Sequence, residues 1–273
     1  MAEPANEYEE ADTYRAEFEP LWTEPLAGEF EDRLPADADG TVLAAEVRCG
    51  YLPMKMRRLA GDDARIVALE PSRAMLDKAR ERAEDAGVDD IFFVDESVES
   101  ISYASDVFEA SVCFDGLVTP TELRDAASEI SRVTVEGGPV VMAVPLADSF
   151  GKLYDLLEEA LREHGADASA LEAARNSLVE PARLLSTARN MGLGEADVAR
   201  ASWEVEYDSG RSLLDAPLLR RTVFPLWSEA ISMPERDAVL RYFRDALQQY
   251  WRDRPVRVEV VAGCLFARVD EDE

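Results

Sequence analysis

Residues 41–53 read Thr-Val-Leu-Ala-Ala-Glu-Val-Arg-Cys-Gly-Tyr-Leu-Pro (TVLAAEVRCGYLP). The opening TVLAAEV is a short apolar run, the pattern of a strand buried on both faces of a sheet. It is followed by a turn containing Gly50 and by the helical stretch YLPMKMRRLA at 51–60. A buried strand, a tight turn and a helix begin a crossover unit. One residue is out of place, because Arg48 stands where such a turn would take its first glycine.

The same rhythm continues outward. ARIVALE (64–70) reads as a second strand, and SRAMLDKARERAEDAG (72–87) as a helix with Ser72 as N-cap and Gly87 as stop. IFFV (91–94), an irregular acidic segment, FEASVCF (108–114), the helix TELRDAASEISRVT (121–134), an EGG turn and PVVMAVP (139–145) complete five apolar strands with crossover helices. Such a set makes a parallel sheet covered on both faces, whose ligands lie beyond the carboxyl ends of the strands. Before it, residues 1–40 carry Tyr8, Tyr14, Phe18, Trp22 and Phe30 among acids and prolines, which predicts a cap of short helices. After it, 147–210 reads as a helical cover and a sixth strand. The spacing of Phe150, Leu153, Tyr154, Leu157 and Leu161 predicts a helix over 149–164, and more helix is expected over 169–193 before the strand WEVEY (203–207). Residues 211–254 read as a helical insertion of two or three helices, and 255–273 as the last strand and an acidic tail.

Composition narrows the chemistry. With 47% hydrophobic residues the chain can bury a full core, and no apolar run approaches the ~20 residues of a membrane helix. Cys49, Cys113 and Cys264 are odd in number and far apart, so neither a disulfide framework nor a thiolate metal site is expected. His164 is the only histidine and lies among charges, which removes histidine triads and histidine metal sites and predicts a solvated residue. The net charge of −28, from 57 acidic and 29 basic residues, repels phosphate backbones and anionic lipid. A cytoplasmic location with no nucleic-acid or membrane partner is the expectation. The acid-rich, lysine-poor composition is similar to that of proteins from salt-loaded cytoplasms, and equally to that of an acidic protein from an arginine-biased genome.

Five strands with this punctuation resemble the class I S-adenosylmethionine-dependent methyltransferases. The resemblance covers 41–145 well and the final strands moderately. It implies an α/β, Rossmann-like, doubly wound and mostly parallel seven-stranded sheet with helical insertions, and S-adenosylmethionine as cofactor. In LAAEVRCGY, Glu46 matches the family's acidic position, Arg48 replaces the first glycine of its loop, Gly50 keeps the second, and Leu52 replaces the third. In VALEPSRAMLDKAR, Glu70 matches the carboxylate that takes both ribose hydroxyls. Asp95 and Glu96 match the adenine-contacting acids, and Phe114 and Asp115 end the fourth strand where cofactor or substrate contacts fall, Asp115 being the one candidate to orient a nucleophile. Each has a plainer reading: Glu70 as a cap of the next helix, and Asp95 and Glu96 as ordinary surface acids of an acidic chain.

Methyl transfer requires alignment more than side-chain chemistry, so the absence of a general base excludes nothing. The Arg48 guanidinium is expected either to cross the pocket and pair with Glu46 or Glu70, or to swing out towards a carboxylate of cofactor or substrate. Three functions follow: methyl transfer to a small, partly apolar acceptor; a non-catalytic partner subunit or regulatory scaffold of the same fold; or a crevice for another nucleotide or acidic metabolite. Trp203, Phe224, Trp227 and Tyr242 read as an acceptor wall, as a protein or homodimer interface, or as the packing of the inserted helices. The acceptor itself is not legible.

Overall fold

The computed structural model describes residues 6–35, 40–60, 64–115, 119–165, 168–176, 178–231, 233–252 and 254–271. A seven-stranded sheet is its spine. The strands are β1 (Thr41–Ala45), β2 (Arg65–Leu69), β3 (Ile91–Val94), β4 (Ala110–Cys113), β5 (Pro139–Pro145), β6 (Leu193–Tyr207) and β7 (Val256–Val269), in the order β3-β2-β1-β4-β5-β7-β6. β1 pairs in parallel with both β2 and β4, β2 with β3, and β4 with β5. β7 runs against β5, since Gly137 N donates to Val269 O at one end and Leu146 N to Val261 O at the other. The first five strands are nearly continuous apolar runs because helices cover both faces, and β1 beyond Thr41 is wholly buried.

The chain divides into two compact units. The first comprises residues 1–144, 181–199 and 263–273. Its helices are α1 (Glu7–Thr13), α2 (Thr23–Glu29), α3 (Tyr51–Leu59), α4 (Arg73–Asp85), α5 (Pro120–Val133) and α8 (Pro181–Asn190), with one π-helical turn at Tyr14–Phe18 and 3-10 turns at Glu19–Leu21 and Glu31–Arg33. The expected caps are present. The Ser72 hydroxyl accepts from Met75 N, Gly87 takes φ 67° after α4, and Thr119 and Glu122 form a reciprocal capping box on α5.

The second unit, residues 145–180 and 200–262, holds α6 (Gly151–Glu163), α7 (Ala168–Asn176), α9 (Gly210–Asp215), α10 (Pro217–Thr222), α11 (Phe224–Ala230) and α12 (Met233–Tyr250). The insertion therefore forms four helices rather than two or three, because Pro217 and Pro225 each restart the chain within a helix's first turn. Trp227 is fully buried and meets Tyr154, Phe224 and Phe243 at ring centroids 5.2, 5.7 and 5.4 Å away. The Phe224 and Trp227 aromatics thus pack the inserted helices on one another. Helix over 169–193 is interrupted, and β6 begins at Leu193, ten residues before WEVEY, since the alternation there is of charged and small residues rather than large apolar ones. Cys49, Cys113 and Cys264 are all buried and free, and His164 is exposed. No described helix is long and apolar enough to cross a membrane.

Candidate functional site

The carboxyl ends of β1, β2 and β4 bring together the residues singled out from the sequence. Leaving β1, the chain makes a turn in which Glu46, Arg48 and Gly50 all take positive φ, at 52°, 50° and 85°. The first two carry Cβ atoms, so each left-handed conformation costs on the order of 1–2 kcal/mol. Arg48 therefore holds a backbone shape that a glycine would adopt without this cost. At Gly50 the glycine is required twice over: by φ, and because a Cβ would lie 2.8 Å from the Ala79 Cβ on α4. Leu52 is buried in α3.

Glu70 follows β2 and is fully buried. Its Oε2 accepts from the Arg48 backbone N at 2.9 Å, and its Oε1 accepts from Ser72 N at 2.9 Å. The carboxylate thus joins the two crossover turns, and the reading of Glu70 as a partner of the α4 N-terminus agrees with its bond to Ser72 N. The Arg48 guanidinium lies between two acids, its Nη1 3.4 Å from Glu70 Oε1 and 3.3 Å from Glu46 Oε2. Of the two placements open to Arg48, the structure has the guanidinium paired with Glu46 and Glu70. Both distances exceed the ~2.7–2.9 Å of a strong charge-assisted bond, so the guanidinium is shared rather than locked. Glu46 Oε1 accepts from Val98 N at 3.0 Å, which draws the segment after β3 across the end of β1.

A third carboxylate closes the cluster. Asp115, after β4, accepts at Oδ2 from the Tyr14 hydroxyl and from the Thr23 hydroxyl, both at 2.8 Å, while Trp22 Nε1 donates to Phe114 O at 2.9 Å. These donors come from residues 14–23, so the N-terminal cap is a strap seated directly on the strand ends. It is held by a buried clasp in which both Arg82 Nη atoms reach Glu19, at 2.9 and 2.6 Å, and by Cys49 Sγ donating to Ala11 O at 3.4 Å. Sequence reading noted Tyr14 and Trp22 only as aromatics of the cap and missed Thr23 and Glu19. Nothing local marks a residue whose partner is 92 positions away.

Charge balance in the cluster is uneven, with three carboxylates facing one guanidinium. Burial pushes the Asp115 carboxyl up to about 6 against the pull of Arg48, Thr23 and Tyr14. Burial likewise raises Glu46 despite Arg48 and the Val98 amide. Burial alone would depress Arg48, but Glu70, Glu46 and Asp115 overrule it and hold the guanidinium charged more firmly than usual. Of the remaining candidates, Asp95 stands exposed beside Glu70, one step beyond the Leu69↔Val94 register, and Glu96 accepts from Ser102 N at 3.0 Å as part of its own loop. Phe114 contributes its backbone carbonyl to Trp22 while its ring is buried. No group of three or more acids, cysteines or histidines is arranged to hold a metal ion among the described residues.

A strand order of 3-2-1-4-5-7-6 with acids at the ends of β1, β2 and β4 is the architecture of a Rossmann-like methyltransferase. Residues 45–138 match the family model described as a methyltransferase domain. The chain is similar to the ubiquinone/menaquinone biosynthesis C-methyltransferase UbiE of Proteus mirabilis, 28% identical over 110 residues, or 39% of this chain and 44% of that enzyme. It thus spans less than half the length of this curated relative. Its fold is similar to that of the YcgJ protein from Bacillus subtilis, with TM-score 0.58, 12% identity, and coverage of 90% of this chain and 98% of the other. It is likewise similar to geranyl diphosphate C-methyltransferase from Streptomyces coelicolor, solved with Mg2+, geranyl diphosphate and S-adenosyl-L-homocysteine, with TM-score 0.51, 16% identity, and coverage of 98% and 86%.

Proposed function

We propose that the chain transfers a methyl group from S-adenosylmethionine to a small-molecule acceptor. The observation that carries the reading is Glu70, a fully buried carboxylate at the end of β2, positioned by the left-handed β1–α3 turn. A cationic ligand suits a cluster of three carboxylates and one guanidinium, whose excess negative charge burial makes costly. When bound, the cofactor supplies an activated methyl on a sulfonium with its own leaving group, so the chain needs only to bind, orient and exclude water. Glu70 takes the ribose hydroxyls, Asp95 and Glu96 the adenine edge, and Glu46 the amino-acid end. Asp115, with Oδ2 held by Tyr14 and Thr23, presents its other oxygen to a hydroxyl or amine of the acceptor. The matched relative and the fold neighbour, named for quinone biosynthesis and geranyl diphosphate, support a small organic acceptor.

Arg48 makes cofactor entry conditional. Its guanidinium must leave Glu70 before the ribose can settle. The long geometry places the displaced interaction at the low end of the ~1.5–3 kcal/mol of a charge-assisted bond, about a tenfold penalty. Calorimetric titration with S-adenosylhomocysteine tests this: binding is expected in the wild type, tightened about tenfold in Arg48→Gly and lost in Glu70→Gln. The buried Arg48–Glu70 pair supports a second reading, a non-catalytic subunit with a sealed site. Absence of heat in both the wild type and Arg48→Gly would favour that reading and end the first.

A further inference from the structure

The chain's charge is unevenly distributed. Residues 209–257 carry nine arginines and no lysine against six acids, a net +3 inside a chain of −28. In the second unit, part of this excess converges on one place. A cleft of about 500 Å3 is lined by Arg211, Arg220, Arg244 and Gln248 together with Leu214 and Phe224, and also by Asp215. An adjoining groove of about 850 Å3 shares Arg211 and Gln248 and adds Arg252, Trp251 and one acid, Asp245, so the two together gather four arginines against Asp215 and Asp245.

Asp215 is committed to Arg220, at 3.0 Å. Arg211, Arg244 and Arg252 take part in no ion pair among the described residues. Several like charges gathered on one concave surface repel one another, and a low-dielectric wall on one side strengthens their field. Guanidiniums present planar forks suited to phosphate or carboxylate oxygens, and Gln248 adds a neutral donor. Leu214 and Phe224 make part of the same wall apolar. The volumes fall within the ~300–1,000 Å3 range of small-molecule sites.

We propose that this trough binds an organic oxyanion, a phosphate- or carboxylate-bearing small molecule with an apolar portion, at a site separate from the Glu46–Arg48–Glu70 cluster and independent of the methyl-transfer reading.

The test is calorimetric titration of the full chain at low salt with three probes: inorganic pyrophosphate, octyl phosphate and octanoate. Wild type is compared with Arg211→Gln/Arg244→Gln, whose exposed side chains leave the core intact, as matching circular dichroism would verify. Expected are saturable binding at or below ~1 mM, octyl phosphate tighter than pyrophosphate, weakening of at least tenfold in the double variant, and loss with added salt. Octanoate binding as well as octyl phosphate would identify a carboxylate source, and octyl phosphate alone a phosphate source. Two outcomes overturn the proposal: no saturable heat with any probe up to about 10 mM, or equal binding by wild type and variant. A wild type that self-associates through these arginines, seen by sedimentation and abolished in the double variant without probe binding, would also overturn it in favour of contact with a second acidic copy.

Discussion

At the scale of single residues, the site turns on one cation and three acids. Asp115 gives a pH signature. Its carboxyl has an ordinary value of 3.8 and is pushed up by burial to about 6, so between these values the folded chain keeps a proton that the unfolded chain has lost. Ionisation above pH 6 therefore costs stability, and that cost is relieved as pH falls through 6 towards 4. Its contribution amounts to roughly 1 kcal/mol of added stability between pH 7 and pH 5. Asp115→Asn keeps an acceptor for Tyr14 and Thr23 and should flatten this part of the profile, being at least as stable as wild type at pH 7. Thermal unfolding at the two pH values reads the difference, and an unchanged slope in the variant would remove Asp115 as its source. Glu46, raised in the same direction, supplies the residual dependence.

The element that distinguishes the site is the N-terminal strap. Its clasp buries Glu19, 2% exposed, against Arg82, and removing one partner of such a pair leaves a charge with no compensation. Arg82→Gln should destabilise the chain by about 3 kcal/mol. The same variant should open the strap over Cys49, whose thiol burial pushes up to about 12 and whose Sγ bonds to Ala11 O. Faster reaction of one cysteine with a thiol reagent, with Cys113 and Cys264 still protected, is the expected result. Uniform acceleration of all three would mean global unfolding and would deny the strap an independent opening. The strap's helices were legible from proline spacing and aromatics in residues 1–40, but its seat on β4 was not. Tyr14 and Asp115 are 101 positions apart, and neither residue carries a local sign of the other.

For the whole molecule, a net charge of −28 sets a self-repulsion that dilute buffer leaves unscreened. Raising KCl from about 0.05 to 1 M shortens the screening length to ~3 Å and should raise Tm by several degrees, each kcal/mol counting for ~2–4 °C at this size. Scanning calorimetry across that series decides it, and a flat or falling Tm would show that repulsion does not limit stability. The same charge count, taken by segment, exposes the positive balance of 209–257, but only folding gathers Arg211, Arg220 and Arg244 around one cleft.

What the sequence by itself determined is the sheet and its punctuation. Apolar runs at 41–45, 65–69, 91–94, 110–113 and 139–145 can be buried only with helices on both sides, and the acids that end β1 and β2 follow from where those runs stop. Tertiary structure decided how Arg48 is used. A guanidinium beyond a strand can point outward or across, and the choice belongs to Glu70, Glu46 and Asp115, which reach it from three strands and leave it in their shared, desolvated field. Local periodicity encodes burial, whereas the partners of a buried charge are assembled by long-range packing.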